Sequence, residues 1–238
     1  NDLKDSWKDD LKELLIEGSF WSKNVIDGDI NTLENYPLSW EQIHEFEPKL
    51  RKKVLKELLN CNQEKSSGAT NFDSYVRGLV GDTLTEMFFK KYPEKVWGIP
   101  TDQITADWAP KRIEIRKKKT PFYHGQYAAV GKFGTGCIYD KIKEDVLDLG
   151  GEIQPENPLT GLKFVNNKIS QLSTKNEKEI IIGPNDLVIS TIPITLLGKF
   201  LHIDTNLEFR GIASVYVSIK KDKINWPKGL NWLYFDFK

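Results

Sequence analysis

Methionine, cysteine and histidine are nearly missing from this chain of 238 residues, and its charge leans to neither sign. Lysine plus arginine number 34, as do aspartate plus glutamate, so the molecule has no long-range field to draw in a polyanion, which disfavours general nucleic-acid binding. The two cysteines, Cys61 and Cys137, stand far apart without a ligand cluster; this argues against a disulfide scaffold or a zinc site and suits a reducing cytoplasm. The histidines, His44, His124 and His202, are scattered and read as surface or loop residues, although His124 sits among aromatic and basic neighbours. Apolar runs such as EIIIGPNDLVISTIPITLLGKFL are broken by Pro, Asn and Asp before they could cross the roughly 30 Å of bilayer hydrocarbon. No signal peptide is read in the sequence. Nor is there a nucleophile elbow, a phosphate-binding loop with its lysine, or a paired-histidine zinc motif, and the standard hydrolase and kinase readings fall away. The sole methionine is Met87, so residue 1 is not a translated start and the chain is expected to be processed or a piece of something longer.

What is present is ordinary globular material, 39% hydrophobic and 11% aromatic, enough for one large domain or two small ones. Leu3, Trp7, Leu11, Leu14 and Leu15 predict an amphipathic helix ending at Gly18. Asp27-Gly28 between β-favouring residues predicts a hairpin turn. Ser39 with Gln42 forms a capping-box pattern at the start of a helix reaching Phe46. Leu50, Val54, Leu55, Leu58 and Leu59 stripe a second helix, and NQEKSSGAT reads as a polar connector. A longer helical pattern runs through NFDSYVRGLVGDTLTEMFFKKY, either whole or broken near Gly78 and Gly81, and is expected to stop at Tyr92-Pro93. A helix follows GKFGTG and closes at Gly150-Gly151; strands are expected with turns at Asn166-Asn167 and at Gly183 to Asp186, then in GIASVYVSIKK and NWLYFDF, paired antiparallel. Helices first and strands later predict an α+β class.

Two features suggest chemistry. The segment EKVWGIPTDQITADWAPKRIEI sets Trp97 and Trp108 on a turn-rich stretch that runs into Lys111, Arg112, Arg116, Lys117, Lys118 and Lys119, with Phe122, Tyr123 and Tyr127 beyond. A charge run alone reads as a solvated edge strand; with flat rings on both sides and the arginines nearest the tryptophans, it reads as a phosphate or nucleotide patch. The second feature is Gly131, Gly134 and Gly136 before a helix, where exposed backbone N–H groups could cradle a phosphate or a flavin edge. The spacing is not the dinucleotide fingerprint, and a tight turn into the helix is the plainer role.

Three stretches in order, LTEMFFKKYPEKVWGIPTDQITADWAPKRI, AAVGKFGTGCIYDKIKEDVLDLGGEI and DLVISTIPITLL, resemble FAD-dependent enzymes of the amine oxidase superfamily, especially UDP-galactopyranose mutases and protoporphyrinogen-oxidase-like proteins. NYPLSW and the last strands resemble their substrate-domain sheet more loosely. The resemblance implies a helical substrate lobe plus an antiparallel sheet, with part of an FAD-binding α/β domain: a helical lobe over 1–128, a partial FAD-domain segment over 129–200, and substrate-domain strands over 201–238. The N-terminal strand, glycine fingerprint and helix of such enzymes have no counterpart in this sequence. It further implies FAD as cofactor of the complete protein and a small-molecule substrate such as a nucleotide-sugar, with no nucleic acid and no membrane span. Trp97 matches the motif tryptophan near the substrate; Arg112, with Arg116 as second candidate, matches a diphosphate-binding arginine on a mobile loop; Tyr92, Phe89 and Tyr123 would line the pocket. Gly134 and Gly136 would approach the flavin, and the backbone around Leu159 would lie near its adenine. The stretch ITADWAPKRI is closer to the oxidase-like relatives. The expectation is therefore a substrate-binding core, inactive in isolation, of a sugar-nucleotide mutase or an oxidoreductase. A non-catalytic nucleotide-binding module and an interaction module are the rivals from other classes.

Overall fold

In the computed structural model, residues 14–17, 21–26, 29, 31–109, 113–122, 129–176, 179–225, 227 and 229–236 are described. They form two compact units: one comprises residues 1–134 and 217–238, the other residues 135–216. Helices stand beside mixed and antiparallel sheets, the α+β class expected from the order of the elements.

The first unit begins with β1 (Leu15–Glu17), where the helical spacing of the opening residues had predicted helix. Backbone pairing decides against it: Leu15 to Glu17 lie antiparallel to β4 (Ala129–Gly131), so ladder hydrogen bonds replace an amphipathic face. The N-terminal part of that expected helix lies outside the described residues. Next come β2 (Trp21–Val25) and β3 (Leu33–Tyr36), paired antiparallel with Lys23 opposite Asn35 and Ser22 opposite Tyr36. This is the expected hairpin; its Asp27-Gly28 tip lies outside the described residues. The third strand of the sheet is β8 (Leu230–Phe235), in the order β3-β2-β8. It runs parallel to β2, a correction to the antiparallel expectation, because alternation along NWLYFDF fixes which side chains share a face but not the direction of the neighbour.

Among the described residues, the helices Trp40–Glu45, Pro48–Leu58 and Phe72–Leu84, with flanking loop residues, build the core. The short α1 (Trp40–Glu45) opens with Ser39 Oγ accepting from Gln42 N at 3.2 Å, half of the predicted capping box. The other half is missing, because the Gln42 side chain turns to Glu34 instead. In α2 (Pro48–Leu58), Pro48 occupies the first turn, where its absent N–H costs nothing, and the Glu47 carboxylate accepts from Lys49 N and Leu50 N. The connector contains the short α3 (Gln63–Ser67). Asn71 caps α4 (Phe72–Leu84) through Ser74 N at 2.9 Å. Phe72, Val76, Val80 and Leu84 of α4 are at most 1% exposed and close over Val54, Leu38 and Ile43. Each fully buried side chain of this kind contributes about 1.5–3 kcal/mol.

The break in the long helical pattern falls at Gly81, whose φ of 83° is open to glycine and strained for other residues. Glu57 of α2 explains the position: its carboxylate accepts from Thr83 N and Thr83 Oγ1, both at 2.7 Å, and caps the chain as it re-enters helix. A wide turn with π-type hydrogen bonding follows (Thr85–Lys90), then α5 (Lys91–Trp97). Helix thus continues through Tyr92-Pro93, where a stop was expected. Pro93 falls in the first turn of a freshly started helix, the one place where a proline removes no needed hydrogen bond. The true stop is Gly98, left-handed at φ 68°.

The second unit contains α6 (Gly136–Asp148), then β5 (Leu159–Val165), β6 (Lys168–Thr174) and β7 (Glu179–Ile181) as an antiparallel sheet, and α7 (Ile194–Leu201). The expected turn at Asn166-Asn167 is present, both residues at φ 52–60°. Gly183 N donates to Asp186 Oδ2 at 2.8 Å in the other expected turn. The chain beyond it forms no second strand, nor does GIASVYVSIKK, a correction to two expectations: a strand needs a neighbouring edge, and these residues have none among the described ones. No described helix is long and apolar enough to cross a membrane.

Candidate functional site

The three-stranded β3-β2-β8 sheet of the first unit supplies a platform, since side chains two apart on a strand share a face. Tyr36 of β3, Ser22 and Asn24 of β2, and Trp232 and Tyr234 of β8 stand together by register, with Asp236 two residues further on. Against this face lies the π-type turn and the start of α5. Asn24, Met87, Phe88, Lys91, Tyr92, Tyr234 and Asp236 line a narrow cleft there, with room for about one water molecule, some 10 Å³. Within it the Tyr92 and Tyr234 rings meet edge-to-face, 4.9 Å between centroids.

An aromatic chain extends from that contact. Tyr234 touches Trp232 at 6.2 Å and Tyr36 at 5.4 Å; Tyr36 touches Phe122 at 6.0 Å and Phe89 at 6.5 Å. Such ring pairs contribute about 0.5–1.5 kcal/mol each beyond area burial. Lys91 Nζ stands 3.5 Å from the Asp236 carboxylate at the mouth of the cleft. Burial pushes the Tyr92 phenol up from its ordinary value, so it stays a neutral O–H donor far above neutral pH.

The residues singled out from sequence fall in different places. Tyr92 lines the cleft. Phe88 and Phe89 both belong to the buried core; Phe88 also borders the cleft, whereas Phe89 packs against Tyr36. Trp97 ends α5 and meets Trp108 edge-on at 6.0 Å; Trp108 in turn packs on Phe72 at 5.2 Å, a second aromatic group. The loop after Trp97 is pinned to α4 by Thr101, whose hydroxyl donates to Asp73 Oδ1 at 3.1 Å. Arg116 is turned inward on its own loop. Its Nε donates to Glu114 at 2.5 Å, Nη1 to Thr120 Oγ1 and to the Pro121 carbonyl at 2.7 Å, and Nη2 to the Phe122 carbonyl at 3.1 Å. That grip shapes the loop that delivers Phe122 to Tyr36. Arg112 and Tyr123 lie outside the described residues.

Of the three cofactor candidates, Gly134 belongs to the first unit and sits in a tight turn at φ 95°; Gly136 and Leu159 belong to the second, opening α6 and β5. A Cβ placed on Gly136 would meet no atom within 4 Å, and Thr135 gives α6 no side-chain cap. In the first turn of this 13-residue helix Ile138 N donates to the Thr135 carbonyl at 3.2 Å, and the space beside Gly136 is open. Among the described residues no group of three potential metal ligands gathers.

Sequence reasoning passed over Tyr36, Trp232, Tyr234, Asp236 and Asn24. The alternation Trp232, Tyr234, Asp236 was the available signal: two rings and a carboxylate on one face of a strand are an unusual stripe for a structural edge.

Comparison with known proteins now bears on this geometry. A solved structure of reduced UDP-galactopyranose mutase matches the chain with a TM-score of 0.57 and 20% sequence identity, over 78% of this chain and 41% of that one. The likeness is one of fold. The chain spans well under half the length of that structure. No family model matches the sequence, and the search of curated proteins finds no significant match.

Proposed function

We propose that this chain is the substrate-binding core of an FAD-dependent enzyme acting on a nucleotide-sugar, as a mutase or an oxidoreductase. The observation that carries the proposal is the cleft between α5 and the sheet, where Tyr92, Tyr234 and the Lys91 ammonium converge within a fold like that of UDP-galactopyranose mutase. Flat rings suit a base, and a neutral phenol beside an ammonium suits a diphosphate: the phenol donates a hydrogen bond and the ammonium offsets charge. Because the cleft has room for only about one water molecule, binding is expected to widen it by parting the Tyr92 and Tyr234 rings. Arg112 would add a two-pronged grip on the same phosphates. The reacting chemistry would be that of the bound flavin, with Gly134, Gly136 and the backbone at Leu159 among its supports. The chain's own part is to bind, orient and hold the leaving diphosphate.

The test is titration with uridine diphosphate of the protein encoded by the gene's complete reading frame, with Tyr92→Ala and Arg112→Ala alongside. Loss of a charge-assisted hydrogen bond costs about 1.5–3 kcal/mol, so each variant is expected to bind roughly ten- to a hundredfold more weakly. Unchanged affinity in both would sink the reading.

A further inference from the structure

Thr120 stands in the one Ser/Thr-Pro dipeptide of the 238 residues, directly after Lys117, Lys118 and Lys119. Residues 117–121 are neither helix nor strand; Thr120 is half-buried, and Lys117 and Lys118 are exposed. Pro121 disfavours helical backbone at Thr120 and biases it towards the extended shape in which kinase clefts take their substrates. Side chains and backbone hold the loop from both ends. Arg116 N donates to the Leu38 carbonyl at 2.9 Å, and Trp40 N donates to the Arg116 carbonyl at 2.8 Å. Lys119 N donates to Glu41 Oε2 at 2.9 Å, and the Lys119 ammonium pairs with Glu45. The Arg116 guanidinium reaches Thr120 Oγ1 at 2.9 Å as well as the carbonyls of Pro121 and Phe122. The Thr120 hydroxyl therefore has a guanidinium on its oxygen, while two α1 carboxylates grip the residue just before it.

We propose that Thr120 is a phosphorylation site and that its phosphate switches the ion pairs of this loop. The phosphoryl donor is ATP, presented by a proline-directed protein kinase. Thr120 Oγ1 forms the new bond to the γ-phosphorus, the bond from that phosphorus to the β,γ-bridging oxygen breaks, the hydroxyl proton passes to the kinase's catalytic carboxylate, and ADP leaves. The phosphate places about −1.5 to −2 charges and three acceptor oxygens on the atom that Arg116 already touches. The pairs it competes with are weak: the Glu114 side chain that shares Arg116 is 58% exposed and the Glu45 side chain that holds Lys119 is 57% exposed. Arg116 and Lys119 turn to the phosphate, which also repels Glu41 and Glu45, and the loop loosens from α1. Phe122, packed on Tyr36 at 6.0 Å, rides on the same loop. This site rests on the loop alone and stands or falls separately from the flavoenzyme reading.

The test treats the isotope-labelled full chain with magnesium ATP and a purified mitogen-activated protein kinase, a proline-directed enzyme. Tandem mass spectrometry maps the phosphate, and NMR follows amide hydrogen exchange. Phosphate is expected on Thr120, and Pro121→Ala should cut labelling there at least roughly tenfold, since the proline sets the backbone of its neighbour. In the phosphorylated protein the Lys119 amide, released from Glu41, should exchange roughly tenfold faster, the scale of one lost hydrogen bond. Thr120→Val, treated in the same way, should keep its slow Lys119 exchange. An unmodified Thr120, or labelling indifferent to Pro121→Ala, would overturn the site. A phosphorylated Thr120 with unchanged Lys119 exchange would overturn the switch. The unaltered chain decides both points even if a variant fails to fold.

Discussion

In the first unit Leu38, Ile43, Val54, Phe72, Val76, Val80 and Leu84 close on one another with almost no exposed surface, whereas in the second no described apolar side chain is buried. Leu149, Leu187, Ile212 and Tyr216 of the second unit are 83–94% exposed. Regular structure nevertheless appears in both. The second unit keeps a 13-residue helix with a Lys141–Asp145 pair at 2.8 Å on its surface, and a hairpin turned by two left-handed asparagines. Local signals therefore suffice to form a helix or a hairpin, but they do not assemble a core. A core requires distant segments whose apolar faces match, and in the first unit α1, α2, α4 and the aromatic loop supply them.

The contrast predicts very unequal responses to truncation. Phe72→Ala should cost about 3–5 kcal/mol of unfolding free energy, while Ile212→Ala should stay within about 0.5 kcal/mol. Urea denaturation of both variants checks this, and comparable losses would break the comparison. Next in size, Gly81→Ala should destabilise by about 1–3 kcal/mol, because its φ is strained for alanine and the new Cβ would come within 2.8 Å of Glu57 Cβ. Parallel Gly136→Ala, in open space, should be nearly silent. Equal effects would show that backbone conformation at Gly81 is not held by Glu57.

Ser39→Ala should remove the α1 cap at a cost of about 1 kcal/mol, visible as a small shift of the denaturation midpoint. An unchanged midpoint would mean that the backbone bonds of Trp40 and Arg116 hold the helix start without it.

The last expected effect is confined to acid. Arg77 grips Asp73 at 2.6 Å and Glu86 at 2.5 Å and also bonds Asp82. Burial pushes the Asp73 carboxyl up, but hydrogen bonds from Arg77 and Thr101 and the charges of Arg77 and Lys90 outweigh it and leave its pKa below the ordinary 3.8. The Arg77 hydrogen bond chiefly holds Glu86 below 4.5. Because both folded-state values are depressed, the unfolded chain binds more protons in acid. Their stabilisation is present above about pH 4.5 and is lost as pH falls through the folded values. Arg77→Met should flatten the fall in melting temperature below pH 4.5; an unaltered slope would assign acid sensitivity to other carboxylates.

The elements that could be read directly were those specified by neighbours in the chain: the Ser39 cap, the Leu50-to-Leu58 part of the predicted stripe, whose last member Leu59 is exposed past the helix end, the Asn166-Asn167 turn and the helix after GKFGTG. Those misread all depended on a distant partner. Leu15 to Glu17 became strand because residues 129–131 lie alongside, and β8 runs parallel because β2 does. The site divides in the same way. Tyr92 was identified from a motif, but Tyr234 reaches it from more than a hundred residues away, and Arg116, which looked like a phosphate ligand, is occupied by its own loop.

By itself the sequence determined the α+β class, the Ser39 cap, the Asn166-Asn167 turn and the concentration of rings around a basic run, because each depends on residues within a few positions of one another. Only tertiary structure decided which strands pair and in which direction, and which of two adjacent phenylalanines borders the cleft. Pairing and burial join residues far apart along the chain, and the periodicity of a single segment carries no information about which distant surface it will meet.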